Sequence, residues 1–230
     1  MNLAVGVMAR APVAGRCKTR LLAAHEPTWV AALYAAMLAD TLHHLAPLRA
    51  AARVIFLAPD EGAAEALAPF VPPGWDVVLQ HGADLGSRLE HAFATLFARG
   101  ATCAAICGSD APTLAWAALA AALPRLAAQR DEVLLAPCDD GGYAVVALTR
   151  PEPRLFSAMT WSTSNVLAET RARAAAAGLV VRELPVGYDV DEPSDVVRLA
   201  AELRRAPHLA PLTALHLEAA AASRPELRNR

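Results

Sequence analysis

The chain has 230 residues, of which 55% are hydrophobic, and carries 21 Lys and Arg residues against 23 Asp and Glu residues. This length suits one large domain, and a net charge of −2 gives no general attraction to nucleic acid or to an anionic membrane. The longest weakly charged stretch, residues 101–124, is interrupted by Gly108 to Pro112, so we expect no membrane span. The first residues lack a basic flank and an apolar signal segment, which predicts a cytoplasmic protein.

Apolar runs alternate with helical patterns along almost the whole chain. Strands are predicted at residues 3–7, 54–57, 77–79, 103–107, 133–136, 143–148 and 180–184. Helices are predicted at residues 29–45, 63–70, 85–97, 114–128, 165–177, 194–203 and 212–222. Continuous apolar strands separated by helices indicate an α/β fold with a mostly parallel sheet covered on both faces.

A basic loop follows the first predicted strand. Arg10, Arg16, Lys18 and Arg20 lie within eleven residues, around the single glycine Gly15. Sheets of this class bind phosphates at the carboxyl end of the first strand, so the loop is predicted to bind a nucleotide. The loop matches neither the GxGxxG nor the Walker A pattern, and its side chains should therefore contribute more than its backbone. A solvated charged surface is the simpler interpretation.

Acidic residues follow three of the predicted strands. Asp110 comes after the fourth strand, residues 139–140 after the fifth, and Asp189 and Asp191 after the last. Because the carboxyl ends of parallel strands meet at one edge, we expect these acids to face the basic loop. Carboxylates and phosphate oxygens together are typical ligands of Mg²⁺ or Mn²⁺. In the simpler interpretation, Asp110 starts an Asx-turn, and Asp189 or Asp191 caps the helix that Pro193 begins.

Six segments occur in the order that is typical of one superfamily: residues 9–21, 80–89, 108–112, 140–143, 161–163 and 189–193. Together they resemble the glycosyltransferase-A-like, or nucleotide-diphospho-sugar transferase, superfamily. More closely, they resemble a bacterial family of uncharacterised transferases labelled radical-SAM/selenodomain-associated or arsenosugar-biosynthesis glycosyltransferases. The resemblance implies a Rossmann-like αβα sandwich with a mostly parallel mixed sheet. Residues 1–205 would form this single transferase-like domain, and residues 206–230 a C-terminal helical tail.

The resemblance also implies roles for individual residues. The nucleotide and its phosphates would be bound by Arg10, Gly15, Arg16, Lys18, Arg20, Gln80, Leu85 and Gly86. The metal would be held by Asp110, Asp191 and Asp189, with Lys18 and Asp110 as the catalytic pair. The acceptor would lie against Asp140, Gly141, Gly142, Trp161 and Ser162. One departure concerns the metal-binding motif: sugar-transferring members usually carry Asp-x-Asp at the metal, whereas here Ser109 and Asp110 follow Gly108.

The predicted function is a divalent-metal-dependent transferase with a nucleotide or nucleotide-sugar donor and a small-molecule acceptor. Glycosyl transfer is what the family label implies, although a fold does not fix its chemistry. Nucleotidyl transfer from a triphosphate is favoured by the dense positive charge of the basic loop and by the single aspartate, Asp110, in the metal-binding motif after the fourth strand. A non-catalytic nucleotide-binding or scaffolding protein with the same fold is the alternative. The apolar tail residues Leu212, Leu215 and Leu217 suit either packing on the domain or pairing with a second copy.

Overall fold

The structure is a computed structural model that describes residues 2–223. One sheet contains the strands β1 (Leu3–Ala9), β2 (Ala50–Leu57), β3 (Asp76–Leu79), β4 (Cys103–Gly108), β5 (Glu132–Pro137), β6 (Tyr143–Leu148) and β7 (Val180–Glu183). The α-helices are α1 (Pro27–Leu45), α2 (Ala63–Leu67), α3 (Leu85–Ala98), α4 (Trp116–Leu126), α5 (Val166–Ala176), α6 (Pro193–Arg205) and α7 (Pro211–Ser223). None of the helices within residues 2–223 combines the length and apolarity needed to cross a bilayer.

The strands are ordered β3-β2-β1-β4-β6-β5-β7. Within this sheet β6 runs antiparallel to both of its neighbours, while the other pairs are parallel. The carboxyl ends of β1, β4, β5 and β7 therefore meet at one edge, which we call the carboxyl edge. The α/β class and the mostly parallel mixed sheet that were predicted are confirmed.

The helices cover the sheet on both faces because β1, one of its inner strands, is apolar on both sides. Leu3, Val5 and Val7 pack with residues of α1, α2 and α4, whereas Ala4 packs with residues of α3 and α5 on the opposite face. A β-carbon at Gly6 would lie 2.8 Å from the ring of Phe56, so the missing side chain makes room for that ring. The αβα sandwich follows from this two-sided burial.

A third group of apolar side chains packs on the outer side of α1 and joins it to α6 and α7. The fully buried Asp40 of α1 accepts hydrogen bonds from the backbone nitrogens of Leu212 and Thr213 at 3.1 and 2.8 Å. The Thr213 hydroxyl donates to Asp40 as well, at 2.7 Å. These contacts satisfy backbone donors that an α-helix leaves free in its first turn, and they hold α7 against α1.

Candidate functional site at the carboxyl edge

A cleft with two adjoining lobes runs along the carboxyl edge. The larger lobe has a volume of about 520 Å³ and the smaller lobe about 330 Å³. Both lobes are lined by Met8, Arg20, Leu85, Ser109, Asp110 and Asp191. The smaller lobe lies against β1, the basic loop and the start of α3. The larger lobe lies against β4, the turn between β5 and β6, and residues 161–164, so the two lobes span both halves of the chain.

Lys18 lines the smaller lobe, beside two aspartates that line both lobes. Its Nζ donates to Oδ2 of Asp110 at 2.7 Å and to Oδ1 of Asp191 at 2.5 Å, and its side chain is only 9% exposed. Burial alone would lower the pKa of Lys18, but the two carboxylates outweigh burial and raise it, so the amine stays protonated. The Lys18 backbone is left-handed, with φ 46° and ψ 47°. This conformation costs a non-glycine residue about 1–2 kcal/mol, and such strain is typical of functional sites.

Three carboxylates face this ammonium from two loops. Asp110 follows β4, and Asp189 and Asp191 follow β7; one oxygen of each lies within 4.8 Å of the others. The backbone nitrogen of Val190 donates to the carbonyl oxygen of Asp110 at 2.9 Å, which ties the two loops together. Val190 is buried between two aspartates that both line the cleft, as their spacing of two residues predicts for an extended segment. Burial, together with the neighbouring acids, raises the pKa of Asp189 to about 6.

The donor atoms of these three aspartates suit a hard divalent cation such as Mg²⁺ or Mn²⁺, which prefers carboxylate oxygens. A second group of possible ligands, Cys138, Asp140 and Asp189, shares one aspartate with the first. Burial and the nearby carboxylates raise the pKa of the Cys138 thiol. Because only the thiolate is a good metal ligand, the three-aspartate group is the better fit.

The N-terminus of α6 is capped without Asp191. Asp195 accepts hydrogen bonds from the backbone nitrogens of Asp191 and Glu192 at 3.0 and 2.7 Å, and Pro193 is the first helical residue, as predicted. The Asp191 carboxylate therefore faces Lys18 and is not used as the helix cap. The carboxylate of Asp110 likewise accepts from Lys18.

Two further cations of the basic loop line the cleft. Arg20 lines both lobes; its Nη1 lies 3.5 Å from Asp191 and its Nε 3.7 Å from Glu192. Arg10 lines the smaller lobe and pairs with Asp60 at 2.9 Å. Both arginine side chains are more than half exposed, so they can reorient toward a ligand.

Other residues predicted to contact the nucleotide have different partners. Gly15 and Arg16 lie outside both lobes of the cleft, and Arg16 donates to the carbonyl oxygen of Glu61 at 3.0 Å. Gln80 lines the smaller lobe, yet its amide nitrogen donates to carbonyl oxygens of β2 and β1 at 2.8 and 3.3 Å. The Gln80 side chain thus links neighbouring strands, and its carbonyl oxygen accepts from Arg88 at 3.5 Å.

The start of α3 contributes Leu85, which lines both lobes of the cleft, and Gly86, which is buried. A β-carbon at Gly86 would lie 2.5 Å from the carbonyl oxygen of Phe156 and 2.8 Å from Nε1 of Trp161. Gly86 thus allows the helix to pack closely on the segment that carries Trp161. This glycine was predicted to lie beside the phosphates, whereas its contacts in the structure are with residues 156–161.

The predicted acceptor residues lie around the larger lobe, which is lined by Asp140, Gly142, Trp161 and Ser162. Gly141 is the exception. Its φ is +89°, a β-carbon there would overlap the carbonyl oxygen of Ser164, and its own carbonyl oxygen accepts from the backbone nitrogen of Leu167 at 2.8 Å. Gly141 therefore joins the turn between β5 and β6 to the start of α5.

Arg88 and Tyr34 are among the cleft residues that were not predicted from the sequence. Arg88 lines the smaller lobe and lies one helical turn after Leu85. Its spacing of three residues from this predicted nucleotide contact could have identified it. The buried hydroxyl of Tyr34 accepts from the backbone nitrogen of Arg10 at 2.9 Å and lies 2.8 Å from Oγ of Ser109. Tyr34 thus connects the basic loop to the loop after β4. Nothing in the local sequence distinguishes it from the other core residues of α1.

Comparison with known proteins gives a family and a fold. Residues 41–163 match the family described as "Uncharacterized protein conserved in bacteria (DUF2064)", and no curated protein matches the chain. A protein from Desulfovibrio desulfuricans G20, provisionally named a nucleotide-diphospho-sugar transferase, is 27% identical and superimposes with a TM-score of 0.88 over 96% of both chains.

Two more distant structures share the fold. Rv0371c from Mycobacterium tuberculosis H37Rv, in complex with manganese, is 24% identical with a TM-score of 0.55, over 86% of this chain and 97% of that one. The synthetase of CMP:2-keto-3-deoxy-manno-octonic acid, in complex with CTP, is 13% identical with a TM-score of 0.58, over 89% of this chain and 99% of that one. The resemblance and the fold inferred from the sequence are confirmed: the chain belongs to the DUF2064 family and has the glycosyltransferase-A-like fold of the nucleotide-diphospho-sugar transferases.

Proposed function

We propose that the protein is a divalent-metal-dependent transferase that uses an activated nucleotide donor. The observation that carries this proposal is the meeting of three aspartates with Lys18 and Arg20 at the carboxyl edge. A divalent ion held by such aspartates polarises a phosphoryl group, and cations beside it stabilise the charge that develops on the leaving group. The names of its structural relatives support a nucleotide-related transfer, since one is called a nucleotide-diphospho-sugar transferase and another was solved with CTP.

The two lobes of the cleft suit two substrates. We place the nucleotide in the smaller lobe and the acceptor in the larger lobe, with the metal where they meet. In this proposal the metal is Mg²⁺ or Mn²⁺ on Asp110, Asp189 and Asp191; manganese in Rv0371c, which has the same fold, supports a metal but does not choose between the two. The transferase-like domain would comprise residues 1–205, and the tail, residues 206–230, contributes α7, which packs on α1.

Each of the two candidate reactions has one observation in its favour. Glycosyl transfer is favoured by the 27% identity, over almost the whole chain, to the protein named a nucleotide-diphospho-sugar transferase. Nucleotidyl transfer is favoured by four cations along the smaller lobe, Arg10, Lys18, Arg20 and Arg88, which suit the larger charge of a triphosphate. Transfer to a phosphorylated acceptor would need no general base, since positioning and electrostatics suffice for phosphoryl chemistry.

Thermal denaturation tests the proposal. The protein is heated with nucleoside triphosphates and with nucleotide-sugars, each with and without Mg²⁺ or Mn²⁺. A ligand at a hundred times its Kd stabilises the folded state by about 2.7 kcal/mol, or about 5–10 °C in Tm at this chain length. A larger shift with CTP or GTP than with UDP-sugars indicates nucleotidyl transfer, and the reverse indicates glycosyl transfer. No metal-dependent shift with any nucleotide would favour the scaffolding protein.

Substitution of Asp110 makes the test specific to the metal site. Asp110→Asn should abolish the metal-dependent component of the shift, because it removes a negative ligand. Asp139→Asn is the matched control: Asp139 follows β5 at the same edge, pairs with Arg198 and lies outside both lobes of the cleft. Metal-dependent stabilisation that survives in the Asp110 variant would refute the metal assignment.

A further inference from the structure

Lys18 is the only lysine among the 230 residues, and the other 20 basic residues are arginines. The two side chains differ physically. An arginine is a rigid planar fork, whereas a lysine carries a compact ammonium with three donors on a flexible stem. The chain therefore has its one compact, mobile cation at the position where a positive charge fits between Asp110 and Asp191.

The ammonium of Lys18 lies where a metal ion would bind these aspartates. It approaches Oδ2 of Asp110 to 2.7 Å and Oδ1 of Asp191 to 2.5 Å. A Mg²⁺ ion needs carboxylate oxygens at about 2.0–2.1 Å, so an ion on these two oxygens would lie close to Nζ. Two cations at such a distance repel strongly, especially in a partly buried site. Occupation of these oxygens by the ammonium therefore competes with their occupation by the metal.

The displaced ammonium can pair with a phosphate in the smaller lobe. Lys18 also lines the smaller lobe of the cleft, together with Arg10, Arg20 and Arg88, which is the lobe suited to phosphates. A lysine that leaves the aspartates without a phosphate to receive it gives up two charged hydrogen bonds. With a polyphosphate present, it exchanges them for new ones.

We propose that the Lys18 ammonium is the counter-ion of the aspartates when no metal is bound. The divalent ion displaces the ammonium, which then pairs with the phosphate of the donor. This inference rests on the proposed function and adds to it a coupling between the binding of the metal and the binding of the donor. The metal and the polyphosphate bind cooperatively. The metal frees the ammonium to pair with the phosphate, and the phosphate stabilises the displaced ammonium. Either one alone binds weakly, and the coupling is reciprocal.

Chemical labelling of the wild-type protein tests the exchange directly. Because the chain has one lysine, acetylation of side-chain amines followed by mass spectrometry reports on Lys18 alone. Mg²⁺ at saturating concentration should accelerate acetylation at least 5-fold, because the ammonium leaves the carboxylates. Addition of inorganic pyrophosphate to the Mg²⁺ should restore protection. If Mg²⁺ binds, as calorimetry detects, while the acetylation rate stays unchanged, the exchange is refuted and the metal site stands.

Metal titration of variants separates competition from simple charge. Without nucleotide, K18M should bind Mn²⁺ at least 10-fold more tightly than the wild type, whereas K18R, which keeps the charge, should not. R20M is the matched control: it removes an equal charge at 3.5 Å from Asp191, but from a largely exposed side chain. Its Mn²⁺ affinity should change less than 3-fold, and equal gains in R20M and K18M would overturn the inference. If no variant binds Mn²⁺, with or without pyrophosphate, the metal site of the proposed function fails as well.

Discussion

Asp189 makes the stability of the protein depend on pH. Burial, with the charges of Asp110, Asp191 and Asp140, raises its pKa from 3.8 to about 6. Between these two values the folded protein binds the proton more tightly than the unfolded chain does. The free energy of unfolding therefore falls as the pH rises from about 4 to about 6, and the deficit persists at higher pH.

Asp189→Asn should remove this deficit. Without added metal, we expect the variant to gain about 1–2 kcal/mol in free energy of unfolding at pH 8, after allowance for solvent screening, and nothing at pH 4. Urea denaturation at pH 4, 6 and 8 measures the difference. Asp139→Asn, whose carboxylate pairs with Arg198, serves as the control and should show no such gain. A gain of equal size at all three pH values would contradict this explanation.

Gly86 provides a test in which two effects have opposite signs. Helix propensity alone predicts that Gly86→Ala stabilises the protein by up to about 1 kcal/mol. A β-carbon would, however, lie 2.5 Å from the backbone oxygen of Phe156, and such overpacking costs about 1–3 kcal/mol. We expect the clash to win, with a net loss of about 1–2 kcal/mol in chemical denaturation. Gly187→Ala, where a β-carbon makes an ordinary contact of 3.4 Å with Leu114, should change the stability by less than about 0.5 kcal/mol.

At the level of elements, the attachment of α7 depends on one buried carboxylate. Asp40→Ala would leave the backbone nitrogens of Leu212 and Thr213 and the Thr213 hydroxyl without their acceptor. We expect a loss of about 2–3 kcal/mol, from the helix cap and the unsatisfied buried donors together. Denaturation and the rate of proteolysis within α7 measure this loss. Asp76→Ala breaks only an exposed pair with Arg99 and should cost less than about 1 kcal/mol; equal losses in the two variants would refute this role of Asp40.

The elements themselves were largely predictable, because each strand and helix leaves a local apolar pattern. The differences lie at their ends. The helix predicted over residues 63–70 ends at Leu67 and continues as a short 3-10 turn that contains Pro69, which has no N–H to extend an α-helix. β2 begins at Ala50, four residues before the predicted start. The prediction missed this start because residues 50–53 are exposed or only partly buried and lack the apolar pattern of a buried strand. Burial leaves a strong local signal, and backbone hydrogen bonding at the end of a strand does not.

At the scale of the whole molecule, the order of the elements predicted which loops meet, but not how their side chains pair. The acids after β4 and β7 do share the cleft with the basic loop, as parallel strands require. The contact of Lys18 with Asp191 joins residues 173 positions apart, and the link through Tyr34 depends on the exact rotation of α1. Arg16 was indistinguishable from Lys18 in the sequence, although it points toward Glu61. Roles that depend on such long-range packing leave no local pattern.

The reversed direction of β6 affects how this family can diversify. β6 carries the chain away from the carboxyl edge, so residues 149–160 must return across the face of the sheet before Trp161 reaches the larger lobe of the cleft. Leu155 and Phe156 anchor this return path in the core. The three aspartates and Lys18 lie on other loops. Insertions and deletions in the return path can therefore reshape one wall of the cleft during evolution while the charged centre is inherited intact.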